Sequence, residues 1–234
     1  MKKVSRCFND LYNMGTSKNV AKMSGTIKKH IPTIGKIHNG GGSNATTPEK
    51  QEGMTDVLIT ALISGLTNVI TYTIDELSTP IKGLAGNEGD QISIHEVGHN
   101  GAYSGIAPKE IRNKTDHVAQ IEKIIKKLKA IPEGNGTMFD NTTFIYMPES
   151  GAGHHDPQNQ MPIVIMAGKN SKLYMNGRYT RLPFHAMEGR KTLGNWYTTL
   201  LKTYGNPMNH YGDHDLTMSR KKMPQLVHIK QLMI

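Results

Sequence analysis

The sequence holds a single cysteine, Cys7, in 234 residues. An intrachain disulfide is excluded, and with it any disulfide-stapled architecture. No apolar run reaches the ~20 residues that span a bilayer, so no membrane span is expected. Residues 1–37 lack the apolar centre of a signal peptide. The expectation is a cytoplasmic protein or a piece of a longer exported one. A phosphate-binding loop of the G-x-x-x-x-G-K type, a dinucleotide glycine fingerprint and a paired-cysteine motif are all missing. Ser150 stands in Glu-Ser-Gly, outside the strained elbow that exposes a hydrolase serine. Aromatic residues make up only 6%, and none interleaves with the densest lysine run, Lys123, Lys126, Lys127 and Lys129. That run reads as a solvated helix face, and no nucleic-acid partner is expected.

What remains is basic and rather polar. The formal net charge is +9, which suits an anionic substrate or surface. The hydrophobic fraction is 36% and the mean hydropathy −0.48, low enough that part of the chain should lie outside the core. Residues 1–53 read as a poorly structured or weakly helical segment ending in a glycine-rich linker over 39–53. A folded region is expected over 54–218, with a tail over 219–234.

Within the folded region Met54, Val57, Leu58, Ala61, Leu62, Gly65 and Leu66 repeat at helical spacing and predict a core-facing helix. The β-branched run 69–74 predicts a buried strand. A helix is predicted over 108–130, with Val118, Ile121, Ile124, Ile125 and Leu128 as its apolar stripe. Strands are predicted at 142–147 and 161–166, a hairpin around Asn176-Gly177, a helix over 190–203, and an irregular tail from 205 with an edge strand at 226–229. Strands alternating with helices predict an α/β fold: a mostly parallel sheet flanked by helices. Sites in such sheets form beyond the carboxyl ends of strands.

Two histidine-bearing loops follow predicted strands. The first is Ile94-His95-Glu96-Val97-Gly98-His99-Asn100. Read as H-E-x-x-H on a helix, His95 and His99 would bind zinc with Glu96 as general base. The extended entry at 92–94 and the Asn100-Gly101 breaker argue against that helix. The loop reads equally as metal-ligating and as a turn with one capping and one solvated imidazole. The second is Glu149-Ser150-Gly151-Ala152-Gly153-His154-His155-Asp156, where glycines let backbone bend around a ligand. Imidazole and carboxylate donors suit zinc, manganese or iron. Tyr211-Gly212-Asp213-His214-Asp215 reads as a polar turn. His117 reads as a surface residue, and His30, His38, His185, His210 and His228 have no local partner pattern.

The order of these features carries a resemblance. A lysine-rich helix ends Lys-Ala-Ile-Pro-Glu-Gly-Asn-Gly-Thr-Met-Phe-Asp-Asn-Thr. A strand, the Glu-Ser-Gly loop with paired histidines, and Met-Pro-Ile-Val-Ile-Met-Ala-Gly follow it. Over about residues 55–215 the chain resembles the HXXSHH family, a bacterial domain of unknown function whose members are typically exported. That family is similar in pattern to the alkaline phosphatase and sulfatase superfamily. The resemblance implies an alkaline-phosphatase-like partial domain and a divalent metal ion, zinc, calcium or manganese. It implies metal ligation by His95, His99, His154 and His155, with Glu149 as ligand or base. It implies an anionic small-molecule or polysaccharide ester as substrate, and a periplasmic or exported location. Gly98-His99-Asn100 stands where the family motif has Ser-His-His. The superfamily's N-terminal nucleophile loop has no counterpart in the first 50 residues. The expectation is therefore a metal-dependent ester-hydrolase-like protein carrying part of a site. The alternative is a non-catalytic exported structural or partner-binding domain.

Overall fold

The computed structural model describes residues 25, 29–30, 47–74, 107–148, 161–175, 177–185, 187–226 and 228–233, with backbone alone for 47–50 and 107–114. These residues form a mixture of helices and small antiparallel sheets. They divide into two compact units, with the boundary between Met138 and Phe139. No helix among the described residues is long and apolar enough to cross a membrane.

The first unit is built on two helices, α1 (Thr47–Ile63) and α2 (Ala107–Lys129). α1 starts well before the predicted residue 54. Pro48 falls in its first turn, where a missing N–H breaks no helical bond. It ends in a Schellman motif: Gly65, at φ +67°, donates to Leu62 and Leu66 donates to Ala61. Val57 and Ala61 of the predicted stripe are buried, and the rest of the buried stripe differs from it. Gln51, Thr55, Ile59 and Ile63 are buried in register, whereas Met54, Leu58 and Leu62 are half-buried.

α2 matches its predicted bounds within a residue, and Ile121, Ile124 and Leu128 are buried. Val118 is instead 52% exposed. Thr55 donates to Gln120 at 3.2 Å, so the helices meet through a polar contact. Beyond α2 lies a two-residue hairpin, β1 (Pro132–Glu133) and β2 (Gly136–Thr137). Gly134 at φ +55° occupies the first turn position, as a type II′ turn requires. The run 69–74 forms no ladder among the described residues. It alternates exposed and half-buried side chains, and Val69 is 81% exposed. β-branching alone does not recruit a partner strand among the described residues.

The second unit carries β3 (Thr143–Tyr146), β4 (Val164–Ala167), α3 (Leu193–Thr203) and α4 (Leu216–Arg220). Both strands lie where sequence placed them, but they pair antiparallel, with Thr143 opposite Ala167 and Tyr146 opposite Val164. The expected parallel sheet is not found among the described residues. A parallel return needs a crossover, usually a helix. The segment between these strands contains Pro148, Gly151, Gly153, Pro157 and Pro162 and has no helical periodicity.

The core of this unit gathers Leu173, Trp196 and Ile229, with Ile163, Ile165, Leu182, Leu200 and Leu232 packed against them. Trp196 is 2% exposed. Burying such a ring stabilises by several kcal/mol, roughly 3–5 by large-to-small substitution. The core explains two departures from expectation. Leu173 bridges Met233, and no described residues pair across positions 176–177 as the expected hairpin. The described residues of 226–229 form no edge strand, because the Ile229 amide donates to Thr199 Oγ1 at 2.8 Å while its side chain enters the core. The tail expected to be irregular therefore completes the unit. α4, with Met218 fully buried, belongs to it.

Candidate functional site

The predicted donors His95, His99, Glu149, His154 and His155 all lie outside the described residues, as do Glu96 and Asp156. The frame that holds the second loop is described. Thr-Phe-Ile-Tyr and Val-Ile-Met-Ala are β-formers, and their register sets Tyr146 beside Val164. The two chain ends leading to residues 149–160 thus leave the ribbon side by side. At its other end the ribbon is locked by Gly168. Its amide donates to the Thr142 carbonyl at 3.0 Å. A Cβ there would lie 2.0 Å from the Phe139 carbonyl oxygen.

The described polar cluster of the second unit centres on Asp215. Asp215 caps α4: Oδ1 accepts from the Met218 amide at 2.9 Å. Its Oδ2 lies 3.0 Å from His185 Nε2. Burial raises the Asp215 pKa, but hydrogen bonds from Met218 and His185 outweigh that and hold the carboxyl below its ordinary value. An ionised carboxylate only accepts, so His185 Nε2 is the donor of this hydrogen bond. Gln225 reinforces the arrangement, with Oε1 accepting from the Asp215 amide at 2.7 Å and Nε2 donating to its carbonyl at 3.0 Å. Gln225 is held in turn through its carbonyl by Asn195 Nδ2 of α3. Asn195 also completes the capping box with Thr192. The Arg190 guanidinium feels the Asp215 charge and donates to the Pro183 carbonyl at 3.1 Å.

An imidazole oriented by a carboxylate can serve as a base or as one metal ligand. Sequence reasoning set His185 aside and read Asp213-His214-Asp215 as a turn. The available signal was Asp215 as a helix cap three residues before a buried amide. Nothing local pointed to His185, which lies 30 residues away. Nearby in sequence, His210 and His214 meet edge to face with centroids 4.1 Å apart. His210 Nε2 contacts the Asp213 carbonyl at 3.3 Å, and its buried Nδ1 has no hydrogen-bond partner among the described residues. Among the described residues no three His, Cys, Asp or Glu side chains converge as a metal-holding group.

The first unit contains a cavity of about 550 Å³ lined by His30, Asp56, Ile59, Lys123, Lys126 and Lys127, among others. Lys123 bridges Glu52 at 2.9 Å and Asp56 at 3.2 Å. Burial lowers its pKa, yet the two carboxylates prevail and hold it above its ordinary value. Lys126 pairs with Glu122 at 2.7 Å. Lys123 and Lys126 of the lysine run are thus ion-paired.

No protein-family model, no curated protein and no solved structure matches this chain.

Proposed function

We propose that the chain is an HXXSHH-like domain carrying part of a divalent-metal site for a phosphate or sulfate ester. His95, His99, His154 and His155 are its ligands, and Glu149 is ligand or base. The donor chemistry supports this reading, since neutral imidazoles and a carboxylate bind zinc or manganese and polarise an ester oxygen. The net charge of +9 fits an anionic substrate. The observation that carries it is the opposition of Tyr146 and Val164. That pairing closes the base of the segment holding Glu149, His154, His155 and Asp156, so part of the entropy of gathering those donors is met by the ribbon. The same proposal includes an alkaline-phosphatase-like partial domain, whose parallel sheet would involve residues outside those described.

Metal analysis of purified protein, with thermal melting in EDTA and in added metal, tests it. Metal binding to the native state raises the melting temperature by mass action. His99→Ala and His154→Ala should each abolish that rise. Absence of co-purifying metal together with no thermal response to zinc, manganese or calcium would overturn the reading.

One observation favours the second reading, a non-catalytic exported domain that binds a partner. Tyr174, Met175, Tyr179, Phe184 and Met187 are all exposed large apolar side chains in one short stretch. Partner binding that survives complete metal removal separates the two.

A further inference from the structure

Between Leu173 and Leu182 the second unit's chain is pinned to the core at both ends. Leu173 is buried and bridges Met233, and the Tyr174 amide donates to the Leu232 carbonyl at 3.1 Å. Leu182 packs on the cluster of Leu173, Trp196 and Ile229. The described side chains between those anchors are mostly exposed. Tyr174 is 44% exposed, Tyr179 83% and, just beyond, Phe184 42%. Arg178 and Arg181 are exposed as well.

The arginines are not loose. The Arg178 guanidinium sits 4.7 Å from the Tyr174 ring centroid, and its Nη2 donates to the Gln231 carbonyl. The Arg181 guanidinium sits 5.2 Å from the Phe184 centroid. Stacking on a ring fixes the plane of the fork before a ligand arrives, which removes part of the ordering cost of binding. No acidic residue occurs between Asp156 and Glu188, so the sequence around these guanidiniums supplies no competing carboxylate.

We propose that Tyr174, Arg178, Tyr179, Arg181 and Phe184 form a surface that binds a sulfated polysaccharide, with Arg178 and Arg181 gripping sulfate groups and Tyr179 stacking on a sugar ring. A planar guanidinium matches the oxygens of a sulfate two at a time. The open face of Tyr179 is electron-rich and attracts the polarised C–H face of a pyranose. Single-stranded nucleic acid is the less favoured polyanion. Successive bases need successive open rings. Here Tyr174 and Phe184 each already support a guanidinium, which leaves one fully open ring. The inference goes beyond the ester-hydrolase reading and does not depend on it.

The test is binding of a fluorescent heparin oligosaccharide to the full chain, followed by anisotropy in EDTA so that no metal site contributes. Chemically desulfated heparin and oligo(dT) are the competing probes. Heparin should bind, should lose affinity steeply with added sodium chloride, and should outcompete both other probes. Tyr179→Ala and Arg181→Ala should each weaken binding about tenfold, equivalent to the loss of one good contact. Arg181→Lys should weaken it too, because an ammonium cannot form the fork. Both positions are exposed, so these variants stay folded. Arg178→Ala also removes a tie to Gln231 and is a supporting variant only. Lys126→Ala with Lys127→Ala on α2 should leave affinity unchanged. No heparin binding at low salt, equal binding of desulfated heparin, tighter binding of oligo(dT), or unchanged affinity in Tyr179→Ala and Arg181→Ala would each overturn the proposal.

Discussion

His185 Nε2 lies 3.0 Å from Asp215 Oδ2, and the same carboxylate caps α4 through its other oxygen. One side chain therefore joins the segment after Leu182 to the helix that carries the buried Met218. The consequences can be measured.

Asp215→Ala should cost about 1–2 kcal/mol at neutral pH, the usual loss for an N-cap together with a hydrogen-bonded partner. Asp215→Asn keeps an accepting oxygen for Met218 and should cost less. The folded carboxyl titrates below its unfolded value of about 3.9. Its contribution is then fully present above that value and is lost as pH falls through the lower folded value. Acid melts of wild type and Asp215→Asn should converge below pH ~4. A constant gap down to the lowest pH would show that the charge of Asp215 contributes nothing.

Burial, and then the nearby charge of Lys202, push His228 below the ordinary imidazole value of 6.5. The unfolded chain then binds the proton more readily than the folded one. Stability should fall as pH drops below about 6.5 and level off beneath the folded value. Chemical denaturation at several pH values should show this loss in wild type. His228→Gln should flatten it, and Lys202→Met should reduce it. A loss of equal size in all three proteins would mean that His228 is not its source.

Gly168→Ala should destabilise by about 3 kcal/mol, the upper range for overpacking, because the added carbon meets backbone at Phe139 and Asp140. Backbone cannot swing aside as a flexible side chain can. Gly134→Ala is a useful contrast, since nothing stands within 4 Å of its Cβ position and only the positive φ is strained. Denaturant melts that rank Gly134→Ala as the worse of the two would contradict the packing seen at Gly168.

Lys222 has φ 54°, in the left-handed region, at the end of α4. There it donates to the Ser219 carbonyl while Met223 donates to Met218. Gly205 occupies the same position after α3, at φ +91°. Lys222→Gly should therefore stabilise by about 1 kcal/mol, the cost a side chain carries in that conformation. A lower denaturation midpoint for Lys222→Gly would show that the lysine side chain makes a contribution larger than its strain.

The proposed site was legible only as residue types in order. His95, His99, Glu149, His154 and His155 stand out because imidazoles and a carboxylate cluster beside glycines, and that is a local property. The His185–Asp215 pair was not legible. Its two halves are 30 residues apart, and the nearer candidates in sequence, His214 for Asp215 and Glu188 for His185, are not the ones paired. The strip around Tyr179 was equally hidden, because composition cannot show which tyrosines stay outside a core.

Local patterning determined α2, α3, β3 and β4. A 3.6-residue apolar repeat with Pro108 at its start, and short β-branched runs bounded by turn residues, each hold their information within a few residues. Tertiary structure decided everything that depended on a distant partner. β3 and β4 pair antiparallel, an orientation that no pattern within either strand announces. The run 69–74 has strand composition and no ladder among the described residues, since a strand exists only when a neighbour accepts its hydrogen bonds. The polar tail became structure because Asn195 and Thr199, buried on α3, bond the backbone at Gln225 and Ile229. Those hydrogen bonds satisfy buried groups on both sides, and no periodicity within either segment announces them.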